Sequence, residues 1–159
     1  MLVKVAFTSF AIEPGGDTPL AVLKETGGTR MLPIPISPLE VGAISLETLK
    51  VIPDKPLTIH VLKNLLEKLG ATLTRVIFFP VNDRSLMARL EITAGGRVHR
   101  IPCKSCDAIA LGMRCGAPLF VRESAFADQS PAPDGLNGEK LRSHVAAIDT
   151  MEFGSLFLE

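Results

Sequence analysis

Tryptophan and tyrosine are both absent from the sequence, and only 5% of its 159 residues are aromatic. The side chains that stack best on nucleic-acid bases are therefore missing. The eight phenylalanines lie mostly in apolar runs that are typical of a protein core. No run approaches the roughly 18–20 consecutive apolar residues of a membrane helix, so we expect no membrane partner.

Cysteine is scarce, with three residues, and the first stretch, MLVKVAFTSFAIEPGG, has neither the basic start nor the cleavage site of a secretory signal. An odd number of cysteines without such a signal favours reduced thiols and a cytoplasmic location. Apolar residues make up 47% of the chain and charged residues 21%, which is enough for a folded domain with one core.

Net charge is zero, but the charges are unevenly spread along the chain. Residues 72–122 carry eight basic and three acidic side chains, whereas residues 123–159 carry two basic and seven acidic ones. This pattern indicates either a surface for a polyanion with an acidic tail, or ordinary solvated strand faces beside a solubilising tail.

Periodicity and turn residues predict ten elements. In chain order they are strands 3–12, 19–26 and 29–36, helices 38–50 and 59–69, strands 72–81, 86–92 and 97–103, helix 106–115 and strand 117–123. Ser37, Pro38 and Glu40 form a capping box at the start of the first helix. Thr58 is the expected N-cap of the second helix, with Val61, Leu62, Leu65, Leu66 and Leu69 as its buried face.

Three strands followed by a helix occur twice, and Ala-Ile-x-Leu recurs at 43–46 and 108–111. We therefore expect an α+β fold of largely antiparallel sheets with three main helices and an internal duplication. The expected domain spans residues 1–126. Composition predicts a flexible linker over 127–140 and a tail over 141–159 that has the pattern of a short amphipathic helix.

All three cysteines lie in IPCKSCDAIALGMRC, residues 101–115. Cys106 and Cys115 stand at opposite ends of one predicted helix, about 13 Å apart, so they cannot share a zinc ion. His99 is about 13 Å from Cys103 along a strand, and we expect no zinc site. A thiol switch at Cys103 and Cys106 is one alternative, because a helix start lowers the pKa of a cysteine. Burial as small apolar side chains is the favoured one.

Asp107 is the only acid of the third helix and lies in its first turn. It either stabilises the helix dipole, by about 0.3–1 kcal/mol, or presents a carboxylate at the edge of a pocket.

The segments RMLPIPISPLEVGAISL, KPLTIHVLKNLLEKLGA and IPCKSCDAIALGMRCGAPLFV, in this order and spacing, resemble the bifunctional nuclease domain. This bacterial and plant family has members described as having DNase and RNase activity. The resemblance spans roughly residues 3–126. It implies an α+β domain with an internal repeat that hydrolyses phosphodiester bonds in DNA or RNA, with Mg²⁺ or Mn²⁺ as the cofactor.

Several polar positions match the family pattern, namely Glu40, Pro56, Thr58 and Asp107. Others depart from it: Lys55 and Lys104 replace arginines, Ile59 and His60 replace a His-Asp pair, Pro102 replaces an acid, and Ser105 and Cys106 replace Pro-Ser. The C-x-x-C therefore falls where the family pattern is altered.

The resemblance implies Glu40 and Asp107 as metal-binding or catalytic carboxylates, and Lys104 as a phosphate contact. His60 is a further candidate base, although an exposed helix histidine is the commoner case. Candidate nucleic-acid contacts, provided that they share a face, are Arg97, Arg100 and Arg114. The alternative function is a catalytically impaired binding or regulatory module of the same fold, with homo-oligomer formation left open.

Overall fold

Alternating burial along the first strand shows how the sheet forms: Val3 and Val5 are buried between exposed neighbours. The computed structural model describes residues 1–82 and 85–126. The strands are β1 Leu2–Ile12, β2 Pro19–Glu25, β3 Met31–Pro35, β4 Thr72–Asn82, β5 Ser85–Ala94, β6 Arg97–Lys104 and β7 Leu119–Arg122. The helices are α1 Pro38–Thr48, α2 Thr58–Lys68 and α3 Ser105–Cys115, and a 3₁₀ turn spans Glu123–Phe126.

The seven strands form a single sheet in the order β3-β2-β1-β7-β4-β5-β6. Strands β1–β3 form one antiparallel meander and β4–β6 form a second. Strand β7 joins the two meanders because it pairs antiparallel with β1 and parallel with β4. The expected α+β fold is therefore confirmed, with one mixed sheet in place of separate sheets. The order of three strands followed by a helix also recurs, and the internal duplication stays a prediction.

The prolines of β3 fit their position, because Pro33 and Pro35 lie on an edge strand, where missing N–H donors cost little. The capping box of α1 is confirmed. Ser37 accepts from the backbone N–H of Glu40, whose carboxylate accepts from the backbone N–H of Ser37. Gly116 ends α3 with a φ of 65°, a left-handed conformation that glycine adopts without strain.

The three helices pack on one face of the sheet, with α3 in contact with both α1 and α2. Ile109 and Leu111 of α3 are buried against Val76, Phe78 and neighbouring strand residues. Burial of each such side chain contributes about 1.5–3 kcal/mol. No helix among residues 1–82 and 85–126 is long and apolar enough to cross a membrane.

The second helix differs from its prediction. Thr58 is the first helical residue and Leu57 is the N-cap, because the backbone N–H of Leu57 donates to Nδ1 of His60 at 3.2 Å. Val61, Leu65 and Leu69 are more than half exposed. The residues that pack on the core from this helix are Ile59, Leu62 and Leu66. The apolar residues form two adjacent stripes, and only one of them is covered.

The linker predicted for residues 127–140 and the tail predicted for residues 141–159 lie outside the described residues.

Candidate functional site

A pocket of about 490 Å³ lies where the ends of the two edge strands approach each other. Because β3 and β6 are the outermost strands, their approach shows that the sheet curls at this end. The pocket is lined by Ile34, Pro35, Ile36, Ser37, Glu40, Ser85, Leu86, Met87, Lys104, Ser105 and Cys106. It therefore contains the start of α1, where the capping box pairs the N–H groups of Ser37 and Glu40, and the start of α3, which has no side-chain cap.

Glu40 connects the two edges of this pocket. Its Oε1 atom accepts from Nζ of Lys104 and from Sγ of Cys106, each at 2.8 Å. Its Oε2 atom accepts from the backbone N–H of Ser37 at 2.6 Å. Both carboxylate oxygens are therefore occupied by donors within the protein.

The pair of Glu40 and Lys104 is charged at neutral pH. Burial raises the pKa of Glu40, but the hydrogen bonds from Cys106, Lys104 and Ser37 outweigh it and lower the pKa to about 2. The hydrogen bond to Glu40 raises the pKa of Lys104 in turn. The ammonium remains accessible, because the Lys104 side chain is 73% exposed.

The helix start does not activate Cys106, which agrees with the favoured prediction of a buried, inert thiol and not with the alternative of a thiol switch. Burial, together with the hydrogen bond to Glu40, raises the pKa of Cys106 to about 12. Burial also raises the pKa of Cys103 to about 11, with a further contribution from the charge of Asp107. All three cysteines are free thiols. The loss of solvent and the nearby carboxylates both disfavour the thiolate forms of Cys103 and Cys106.

Asp107 is exposed in the first turn of α3 and makes no hydrogen bond or ion pair with another described residue. Its charge nevertheless acts on the pocket, because it raises the pKa values of Lys104 and Cys106. In the described part of the chain, no group of three or more His, Cys, Asp or Glu side chains is arranged to hold a metal ion.

His60 and Arg114 meet in a second location, the interior of the helical layer. The His60 side chain is only 5% exposed, and its Nε2 atom lies 3.8 Å from Oε1 of Glu47. Arg114 Nη1 lies 3.6 Å from the other oxygen, Oε2, of Glu47. Each helix thus contributes one member of this cluster. Sequence reasoning missed Glu47, because its position seven residues after Glu40 carries no local signal of a partner on another helix.

The candidate basic residues do not share a face. Arg100 contacts Glu91 on the sheet, whereas Arg114 contacts Glu47 between the helices. Arg97 is three residues before Arg100 on β6, so the two side chains project from opposite faces of the strand.

Two further arginines were missed by sequence reasoning. Arg75 and Arg89 join Arg100 around Glu91, whose side chain is 5% exposed. The available signal was the spacing of Arg89 and Glu91 on β5, which puts both side chains on one face.

Comparison with known proteins adds a family assignment to this geometry. The sequence profile of the bifunctional nuclease domain matches residues 21–133, which is well over half of the chain. Two uncharacterized proteins from two strains of Mycobacterium tuberculosis are each 30% identical to this chain over 124 residues. The alignment covers 78% of this chain and 74% of each relative.

Proposed function

Because this chain belongs to the bifunctional nuclease domain family, we propose that it hydrolyses phosphodiester bonds of DNA or RNA at the pocket between β3 and β6. The observation that carries the proposal is the contact of Lys104 with Glu40 across this pocket, at 2.8 Å. It holds an accessible ammonium beside two helix starts. Such a position suits a phosphate, because the positive charge and the N–H groups in the first turn of α3, which has no side-chain cap, act on the same anion.

In this proposal Lys104 contacts the phosphate and offsets the negative charge that develops on it during hydrolysis. Glu40 is a positioning residue, because a carboxylate with a pKa of about 2 is a weak base near neutral pH. Asp107 is the candidate base, since its exposed carboxylate is not bound to another described residue. His60, which is buried between the helices, is not part of the proposed site.

The Mg²⁺ or Mn²⁺ cofactor implied by the resemblance stays a prediction. Hard divalent cations need carboxylate oxygens, and Mg²⁺ is commonly held by one or two of them together with waters and substrate phosphates. Both oxygens of Glu40 are already occupied by Lys104, Cys106 and Ser37. As arranged, these side chains do not fit a preformed metal centre, and no step of the reaction is assigned to a metal ion.

The test is cleavage of labelled single- and double-stranded DNA and RNA, with and without added Mg²⁺ or Mn²⁺. The wild type is compared with Asp107→Asn and Lys104→Met, all purified identically. We expect each substitution to reduce cleavage by about 100-fold or more, the size of a lost catalytic base or charge stabiliser. Asp17→Asn is the matched control, because Asp17 is an exposed acid in the turn between β1 and β2. Equal traces in all four proteins would indicate contaminating nuclease and contradict the proposal.

A second candidate function is a binding or regulatory module of the same fold without catalysis. It is favoured by one observation: Glu40 already serves as the acid of the α1 capping box and as the partner of Lys104. A carboxylate with these tasks stabilises structure whether or not a substrate binds. Binding of labelled oligonucleotides without any cleavage, at every metal condition tested, would support this function over the first.

A further inference from the structure

Arginines gather on the sheet face that the helices of the described residues leave uncovered. A side chain added at Gly112 of α3 would meet Val76 and Leu119, so α3 covers the face on which these residues lie. Side chains alternate along β4 and β5, which puts another set on the opposite face. We call the following residues the arginine cluster: Arg75 of β4, Arg89 of β5 and Arg100 of β6 around Glu91 of β5.

The arginine cluster is held together by one carboxylate. Arg75 Nε lies 2.6 Å from Oε2 of Glu91, and the Oε1 atom of Glu91 lies 3.3 Å from Arg100 Nε and 3.4 Å from Arg89 Nη2. The hydrogen bond from Arg75 lowers the pKa of Glu91 although burial opposes it, so the carboxylate is ionised. Three guanidinium groups thus share one negative charge.

The surrounding cavity remains positively charged. It has a volume of about 530 Å³, and the charged side chains in its lining are four arginines, Arg75, Arg89, Arg100 and Arg122, and two glutamates, Glu91 and Glu123. Glu123 also contacts Arg30, at 3.4 Å. Positive charge in a concave site on a protein surface concentrates anions there.

The arginine cluster also has N–H donors that are not used by Glu91. Glu91 engages Arg75 and Arg100 through Nε, and within residues 1–82 and 85–126 no hydrogen bond from their terminal nitrogens is seen, so these can meet another acceptor. The Nε atom of Arg89 is buried and has no hydrogen-bond partner among the described residues. Guanidinium groups fixed in this way suit a phosphate, which accepts paired N–H donors.

The arginine cluster and the pocket of Lys104 lie along the same two strands. Met87 lines the pocket and Arg89 lines the cavity, and they are two residues apart on one face of β5, or about 7 Å. Arg100 and Lys104 are four residues apart on β6, or about 13 Å. A stacked strand advances about 3.4 Å per phosphate, so about four phosphates would span that distance.

We propose that the arginine cluster binds one phosphate of a single nucleic-acid strand whose next nucleotides lie along β5 and β6 and reach Lys104. The inference rests on the proposed function for the identity of the ligand. A single strand is favoured because the guanidinium groups converge on one carboxylate, a target of the size of one phosphate, whereas a duplex presents two rows of phosphates. Glu91 acts as a positioning residue that holds the three arginines in place.

The test is binding of labelled single-stranded DNA and RNA 12-mers by fluorescence anisotropy, in EDTA and at several salt concentrations. The first variant is the double substitution Arg75→Gln with Arg100→Gln. The second is Arg122→Glu, which leaves the partners of Glu91 intact. Weaker binding by this variant therefore cannot be due to disruption of the contacts around Glu91. The charge-matched control is Lys50→Gln with Lys68→Gln, because both lysines are exposed on the helical side. Thermal denaturation verifies that each protein is folded.

We expect the arginine double variant to bind about tenfold or more weakly, and its salt slope to fall in magnitude by about 0.7, the value for one lost phosphate contact with a single strand. Arg122→Glu should also weaken binding, and the lysine control should bind as the wild type does. Unchanged binding by both arginine variants would overturn the proposal, and so would the absence of any binding by the wild type.

The outcomes separate this inference from the proposed function. Suppose that binding depends on the arginine cluster but cleavage is unchanged by substitution of Asp107 and Lys104. That result would support the inference and contradict the proposed hydrolysis. If cleavage requires Asp107 and Lys104 but binding is unchanged by substitution of the arginine cluster, the proposed hydrolysis would be supported and the inference contradicted. Preference for a duplex over both single strands would overturn the choice of a single strand.

Discussion

The Sγ atom of Cys106 lies 2.8 Å from the Oε1 atom of Glu40, so the thiol donates a hydrogen bond to an ionised carboxylate. The hydrogen bond joins the first turns of α1 and α3, which are 66 residues apart in sequence. It opposes formation of the thiolate, because a second negative charge would then face the first. The pKa of Cys106 is accordingly raised to about 12 by burial and by this contact.

Replacement of Glu40 with glutamine should therefore make Cys106 more reactive. Without the carboxylate the pKa of Cys106 falls, and the thiolate is the species that reacts with iodoacetamide. We expect its labelling rate at pH 8 to rise about tenfold, the effect of one unit of pKa. Peptide mass spectrometry measures the rate for each cysteine separately. Cys115, which lies at the other end of α3, is the internal control, and an equal rise at both cysteines would point to general loosening instead.

The stability of the protein should fall on acidification because of Glu40. Its carboxyl has a pKa of about 2 in the folded protein and about 4.5 ordinarily, so its contribution is complete above pH 4.5 and is lost between there and pH 2. We expect Glu40→Gln to lower the free energy of unfolding at pH 6 and to cost much less at pH 3. Urea denaturation of both proteins at the two pH values measures this. If Glu40→Gln lowered the free energy of unfolding by the same amount at pH 6 and pH 3, the lowered pKa of Glu40 would be contradicted.

Removal of the Glu47 carboxylate should destabilise the helical layer. Glu47→Ala leaves the guanidinium of Arg114, whose side chain is 22% exposed, without its counter-charge. We expect a loss of about 3 kcal/mol in the free energy of unfolding, measured by chemical denaturation. Glu67→Ala is the matched control, because Glu67 forms an exposed pair with Lys63. This substitution should lower the free energy of unfolding by less than about 0.5 kcal/mol. Similar losses in the two variants would argue against the buried cluster.

The two apolar stripes of α2 should respond differently to truncation. Leu65→Ala removes a side chain that is 51% exposed, and we expect a change within about 0.5 kcal/mol. Leu66→Ala removes a side chain that packs on the core, and we expect a loss of about 1–3 kcal/mol. Chemical denaturation of both variants tests which stripe is covered. A larger loss for Leu65→Ala than for Leu66→Ala would contradict the packing of Leu66 on the core.

The local parts of the site were predictable from sequence. The capping box at Ser37 and Glu40 and the glycine end of α3 at Gly116 depend on residues within a few positions of each other. For that reason short patterns identify them. The resemblance to a nuclease domain, found from three motifs, is confirmed by the profile match over residues 21–133.

The errors arose where distant elements meet. The alternative of an activated Cys106, based on the helix start alone, is wrong because burial and Glu40 raise its pKa. Apolar spacing predicted a buried face of α2 that was too wide. Leu62 and Leu66 pack on the core as predicted, whereas Val61, Leu65 and Leu69 are exposed, because the choice depends on what α3 and the sheet cover.

The sequence alone determined the helices and strands, the cap of α1, the end of α3, the α+β class and the family. Each of these depends on periodicity, on short-range hydrogen bonding or on the order of motifs along the chain. Only the tertiary structure decided that β7 joins the meanders into one sheet and that Lys104 reaches Glu40. It also decided that Glu91 gathers three arginines on the uncovered face. Ionic contacts depend on distance in space, and strand pairing together with the curl of the sheet sets those distances.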